Sequence, residues 1–147
     1  MKRYEQQATI QAPAHDVYTY VSDFNRHGEW AGNDLVVTQD GDGPIQPGST
    51  FSTVAKQFGT QREHSTITEL EPDAVFGWDS TGALGIAHHR FTVAGNDGAT
   101  TLTKSAELAQ PSFLGKVMGW KLSKDIPAGL RSDVEKIKAH LEASGSG

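Results

Sequence analysis

Two adjacent histidines, His88 and His89, lie in a strand-like run from Leu84 to Ala94 and are the first residues to consider for proton transfer or ligand binding. Phe91 and Val93 have the character of core residues, and the two-residue period of a strand puts His89 and Ala87 on their side. His89 is therefore the expected pocket histidine. His88 and Arg90 point the other way, so the adjacent pair cannot chelate one metal from a regular strand, and a zinc site needs three or four converging ligands. No metal is expected there. His64 belongs to another strand-like piece, Thr60 to Leu70, whose phase is open because Ile67 and Leu70 indicate opposite faces.

Glu107 is the carboxylate that could meet His89. In the piece from Ala99 to Ala109, Thr101, Thr103, Ser105 and Glu107 alternate with Leu102, Lys104, Ala106 and Leu108. Lys104 in the second set leaves the inward face undecided. With the polar set inward, Glu107 and His89 on adjacent strands bind a ligand hydroxyl or carbonyl, or act as a general base pair. With it outward, Glu107 is a solvated group, as the cost of burying an unpaired carboxylate favours. Arg62 and Glu63 carry the same ambiguity.

Aromatic and apolar residues supply expected cavity walls: Phe76 and Trp78 on one face of the piece Ala74 to Thr81, Phe91 beside His89, and Val117, Met118 and Trp120 near the C-terminus. Rings with a polar edge suit a planar ligand. Core packing accounts for the same residues, and Trp30 is assigned to packing. No Gly-x-Ser-x-Gly elbow, phosphate loop, dinucleotide fingerprint or His-Glu-x-x-His is present, which removes most of the weight from hydrolase and nucleotide-dependent readings. No cofactor is expected.

Composition narrows the field further. The absence of cysteine excludes disulfides, thiolate chemistry and cysteine-ligated metals. A net charge of −5 without a Lys/Arg-rich face argues against a nucleic-acid partner. No run is apolar enough to span a bilayer, so stable membrane insertion is not expected. Met1-Lys2-Arg3-Tyr4-Glu5-Gln6-Gln7 lacks the apolar stretch of a secretory signal, and the cytoplasm is the default location.

These residues must be positioned by a simple order of elements. Tyr4, Gln6, Ala8 and Ile10 share a face of a first strand, Arg3 to Gln11. Pro13 opens a two-turn helix through Ser22, and Asp23 suits the cap of a second short helix ending at Gly32-Asn33. Turn residues then cut Leu35 to Ala109 into six pieces, Leu35–Gln39, Ser49–Phe58, Thr60–Leu70, Ala74–Thr81, Leu84–Ala94 and Ala99–Ala109. Their short connections favour an antiparallel meander. From Pro111 to Ala143 the spacing predicts a long helix capped by Ser112, with Phe113, Leu114, Val117, Met118, Leu122, Leu130, Val134, Ile137 and Leu141 as its apolar stripe. Pro127 predicts a kink near Ile126. Only this helix can cover the sheet, so the sheet should curl around it. The fold class is α+β, with one ligand-binding domain over residues 1–143 and a flexible tail at 144–147.

Ile10-Gln11-Ala12-Pro13-Ala14-His15-Asp16-Val17-Tyr18, then Val21-Ser22-Asp23 and Trp30, resemble the opening of the START/Bet v 1-like (SRPBCC) superfamily, in its bacterial polyketide cyclase/dehydrase-like branch. Gly48-Ser49-Thr50-Phe51, Ile67-Thr68-Glu69-Leu70-Glu71-Pro72, Phe91-Thr92-Val93 and Thr100-Thr101-Leu102-Thr103 extend the resemblance over nearly the whole chain. It implies a helix-grip fold, a seven-stranded antiparallel sheet wrapped around the last helix with a hydrophobic cavity between. The superfamily includes cyclases, lipid and quinone carriers, hormone receptors and chaperone cofactors, so the fold does not choose among them. The leading expectation is a monomer or homodimer that binds a small hydrophobic, aromatic or lipid-like molecule. The alternatives are a cyclase or dehydratase using His89 or Glu107 as general acid–base, and a protein–protein adaptor.

Overall fold

In the computed structural model, which describes residues 3–32, 34–56, 60–96 and 98–145, the alternating pieces form one seven-stranded sheet. The strands are β1 (Arg3–Ile10), β2 (Val36–Gln39), β3 (Thr50–Lys56), β4 (Thr60–Glu71), β5 (Val75–Gly82), β6 (Gly85–Asn96) and β7 (Ala99–Pro111). Their order is β1-β7-β6-β5-β4-β3-β2, and every neighbouring pair is antiparallel. The expected extension of β3 to Phe58 falls on residues 57–59, outside the described residues.

Register settles which side chains share the inner face. Trp78 lies opposite His89, and His89 opposite Ala106; Phe76, Phe91 and Lys104 form the next row, with Val93 opposite Leu102. Directly opposed residues point to the same face, so Phe76, Trp78, His89, Phe91 and Lys104 all turn toward the helix. On β4, a bulge between Ile67 and Glu69 lets Ile67 and Leu70 pair opposite Trp78 and Phe76 respectively. The extra residue reverses the alternation, so both are inward although three apart. His64 is thereby sent to the outer face, where its side chain is half exposed and lies 3.8 Å from Asp40.

Between β1 and β2 the chain makes α1 (Ala14–Val21) and a 3₁₀ helix (Phe24–Glu29). Val17, Tyr18, Tyr20 and Val21 form the buried edge of α1, and the Tyr18 hydroxyl donates to the Val75 carbonyl at 2.9 Å. Asp23 occupies the N-cap of the 3₁₀ helix, but its carboxylate makes no capping bond; the Arg26 N–H bonds the Asp23 carbonyl instead, at 2.9 Å.

The C-terminal segment differs from expectation. β7 runs on to Pro111, Ser112 caps a five-residue helix α2 (Phe113–Val117), and the chain turns at Met118 before α3 (Gly119–Gly145). The break is thus at Met118 rather than near Ile126, and Pro127 lies within continuous α3. Gly115 explains the position of the break. A Cβ there would lie 2.2 Å from the Leu84 carbonyl oxygen, so α2 is pressed onto the β5–β6 turn and cannot continue along the axis of α3. At Pro127 one backbone donor is lost, but the buried Leu122 and Leu130 on either side hold both turns in place. The stripe divides at the same point: Leu130, Val134, Ile137 and Leu141 are buried, whereas Phe113 is 84% and Trp120 71% exposed. α3 also continues through Ser144 and Gly145; Ser146 and Gly147 lie outside the described residues.

Candidate ligand cavity

The space between sheet and α3 is filled at one end and empty at the other. At the filled end the 3₁₀ helix drives Phe24, His27 and Trp30 into the core, where His27 lies with ring centroids 4.3 Å from Phe24, 4.5 Å from Trp30 and 5.0 Å from Trp78. His27 is buried, and its Nε2–H donates to the Val21 carbonyl at 2.8 Å. Burial, assisted by the positive charge of Lys104, lowers its pKa to about 3, so the ring is neutral.

Toward the other end lies a cavity of about 290 Å³. Its sheet wall includes Glu63, Ser80, His89 and Ala106, and its helix wall Leu122, Ile126 and Leu130. The His89 ring stacks on Trp78, with centroids 5.0 Å apart and 11° between planes, and its Nε2 is 3.1 Å from Ser80 Oγ. Burial, with Lys104, His27 and His88 adding repulsion, lowers the His89 pKa to about 3. The Ser80 hydroxyl also hydrogen-bonds Glu63, whose carboxyl is pushed up by burial against the pull of that bond. Gly82 leaves room for this carboxylate: a Cβ on Gly82 would come within 2.7 Å of Glu63 Cγ. The result is a polar line, Glu63–Ser80–His89, across three adjacent strands. Nδ1 of His89 is buried without a hydrogen-bond partner among the described residues.

Lys104 lies behind this wall. Its ammonium is 2.8 Å from Asp133 of α3, in a pair with side chains only 7% and 14% exposed, and stands over Trp30 at 5.1 Å from the ring centroid. Lys104 had left the inward face of β7 open; it is inward, held by Asp133 and surrounding ring faces.

The expected site residues distribute as follows. His89 lines the cavity. Glu107 lies opposite His88 rather than His89, so its side chain shares the outer face with His88 and Asp79; it lines a depression there and also borders the cavity beside Leu108. His89 and Glu107 therefore do not form the adjacent inward pair that one phase of β7 had offered. Phe76 and Phe91 are fully buried and Trp78 is 6% exposed, all within the packed core behind the cavity. Val117 and Trp120 are at the surface and Met118 forms the turn between the helices, so none of these three lines the cavity. The physical reason is the break at Met118, which rotates the first part of the apolar stripe away from the sheet. The sequence leaves the phase of Glu63 open, and Ser80 does not stand out there as a site residue. Only the β4 bulge and the opposition of Ser80 to Ser65 and Ala87 place them inward.

Arg3, Glu69, Asp79, His88, Arg90 and Ser105 line the outer-face depression, about 380 Å³. Its charges are largely paired, Arg90 with Glu69 at 3.0 Å and His88 with Asp79 at 2.5 Å. No group of three or more His, Asp or Glu residues is arranged to hold a metal among the described residues, and no described helix is long and apolar enough to cross a membrane.

A seven-stranded antiparallel sheet gripping a long C-terminal helix, with short helices after the first strand, defines the helix-grip class. The chain belongs to the family described as polyketide cyclase/dehydrase and lipid transport, whose model matches residues 1–142. No curated protein matches the sequence. Among solved structures, the chain is similar to the Zhui aromatase/cyclase from Streptomyces sp. R1128, with 14% identity, 98% of each chain covered and a TM-score of 0.74. A protein from Chromobacterium violaceum aligns at 13% identity over 97% of this chain and 99% of that one, TM-score 0.75. The Aha1 dimer from Colwellia psychrerythraea aligns at 16% identity over 97% of each chain, TM-score 0.68. At these identities the likeness is one of fold.

Proposed function

We propose that the protein binds a small, mainly apolar molecule bearing one hydroxyl or carbonyl group, in the cavity between sheet and α3. The observation that carries this reading is the buried, orphaned Nδ1 of His89, a residue in the wall of a cavity that combines Leu84, Leu122, Ile126 and Leu130 with the polar groups of Glu63, Ser80 and Asp133. A buried ring nitrogen without a partner is costly unless something completes it, and a ligand polar group does so. A cavity of about 290 Å³ is at the lower end of ligand pockets, roughly 300–1,000 Å³, which favours one or two rings or a short acyl chain. Binding is favoured over proton transfer because a histidine with a pKa near 3 is a weak base at neutral pH and is not charged there to act as an acid.

A second reading rests on one specific feature. The Glu63 carboxyl, raised by burial and linked through Ser80 to His89, is a protonatable group in a cavity wall, which a cyclase or dehydratase requires. The aromatase/cyclase named among the similar structures supports keeping this reading.

One set of variants separates the two. Gly129 lines the cavity on α3, and no atom lies within 4 Å of a Cβ built there, so Gly129→Phe should fill the space while improving local helix propensity. A panel of small hydroxy- and oxo-aromatics is titrated by thermal shift and by product analysis. For a binder, wild type is stabilised by at least one compound, Gly129→Phe loses the effect, and His89→Gln weakens affinity by about 1–2 kcal/mol, with no turnover. Turnover that falls by about 10²-fold or more in Glu63→Gln overturns the binder and establishes the catalyst. A response unchanged in Gly129→Phe removes the cavity from both.

A further inference from the structure

The stretch Ser112–Lys124 holds three lysines and no carboxylate in a chain of net charge −5. It is also where apolar side chains are most openly presented. Phe113 is 84%, Trp120 71%, Val117 55% and Leu114 44% exposed, on α2 and the first turn of α3. Lys116 and Lys124 are exposed beside them, Lys124 one helical turn beyond Trp120, while Lys121 pairs with Asp125 at 2.8 Å. Large apolar and aromatic groups with interleaved lysines have the chemistry of a surface that seats in the headgroup layer of an anionic bilayer. The patch is also held in place: Ser112 Oγ donates to the Ala83 carbonyl at 2.6 Å, and the Ser112 N–H to that of Leu84 at 3.0 Å.

We infer that α2 and the start of α3 form a peripheral docking surface for anionic membranes. The charge pattern selects this occupant over a second copy, because two such stretches would bring like-charged lysines together. Position suggests its use. Leu84, which anchors α2, and Leu122, two residues beyond Trp120, both line the cavity, so a docked molecule has the cavity rim against the lipid. That consequence, loading of an apolar ligand directly from the bilayer, rests on the binding reading above; the docking surface does not.

Trp120 is the natural reporter, since Trp30 and Trp78 are 1% and 6% exposed. The full chain is mixed with phosphatidylcholine vesicles with or without phosphatidylglycerol, and followed by flotation and tryptophan emission. Wild type should float with the anionic vesicles and shift its emission to the blue, both effects diminishing with added salt. Lys116→Gln and Lys124→Gln should each weaken partitioning by about fivefold, and Trp120→Ala combined with Phe113→Ser should abolish it with melting unchanged. Flotation that ignores phosphatidylglycerol, or is kept by the double variant, overturns the proposal. So does a concentration-dependent dimer dissolved by that variant without any vesicle binding. Gly129→Phe keeps the two readings apart: it should float as wild type does while losing cavity ligands, so a failure of docking and a failure of ligand binding register separately.

Discussion

His27 and His89 experience the same depression of pKa, to about 3, mainly through burial and both with a contribution from Lys104, yet they occupy opposite kinds of surroundings. Around His27 the rings of Phe24, Trp30, Phe76, Trp78 and Phe91 close in, and its Nε2 is tied to a backbone carbonyl. Around His89 one ring face is covered by Trp78, one nitrogen meets Ser80, and the other nitrogen is unpartnered beside an empty volume. A perturbed pKa does not by itself mark a site. Unused bonding capacity next to space for a ligand distinguishes the two.

The largest test of this contrast is on the helix that spans both ends. Val134 is 2% exposed within the core, so Val134→Asp should cost at least about 3 kcal/mol and leave the protein unfolded or barely folded at room temperature, read by circular dichroism. Next come paired truncations. Ile137→Ala at the filled end should cost about 3–5 kcal/mol, and Leu122→Ala at the cavity end about 2 kcal/mol, because Leu122 already borders a void and loses fewer contacts. Equal costs in urea titration would mean that the two ends are equally packed.

The histidines themselves sharpen the comparison. His27→Ala removes a ring from a close-packed cage and strands the Val21 carbonyl, for about 3 kcal/mol, whereas His89→Gln should change stability by less than about 1 kcal/mol. Acid should expose both. Each folded pKa is lowered, so the unfolded chain binds more protons below its value of 6.5; stability is complete above that pH and falls as pH drops toward 3. The slope approaches about 1.4 kcal/mol per pH unit for each histidine, and His27→Phe should remove one share of it in denaturant midpoints measured from pH 7 to pH 4. The smallest effect belongs to the surface patch. Trp120→Ala should alter stability by no more than about 0.5 kcal/mol.

How much of this was readable in the residues follows from where alternation is regular. β1 and β6 keep their period, so Ile10 and the inward turn of His89 were legible from Phe91 and Val93 alone. β4 was not, because the bulge after Ile67 changes phase inside the strand; this hid Glu63 and left His64 undecided. β7 was not, because a lysine reads as solvent-facing and Lys104 is buried against a partner 29 residues later in the chain. The C-terminal stripe was legible as a helix but not as two fates, since burial of Phe113 to Trp120 depends on a tertiary contact, Gly115 against Leu84, that no helical period contains. Of the expected cavity residues, Phe76, Trp78, His89 and Phe91 turn toward the helix, Glu107 turns to the outer face with His88, and those before Leu122 are carried outward by that contact.

The Lys104–Asp133 pair has one more consequence. Aliphatic side chains alone would let α3 slip along its groove by a turn, about 5.4 Å, at modest cost, since one leucine replaces another. A buried ammonium has no such tolerance. With Asp133 displaced by a turn, Lys104 would remain among Trp30, Trp78 and Phe91 without its anion, a loss of about 3–5 kcal/mol. The ion pair thus indexes the helix against the sheet, admitting one seating and rejecting its neighbours. Because Asp133 lines the cavity while its partner Lys104 stands among the rings of the filled end, the pair fixes how α3 sits over both, and an electrostatic stop as well as contact between hydrocarbon surfaces sets the dimensions of the empty space.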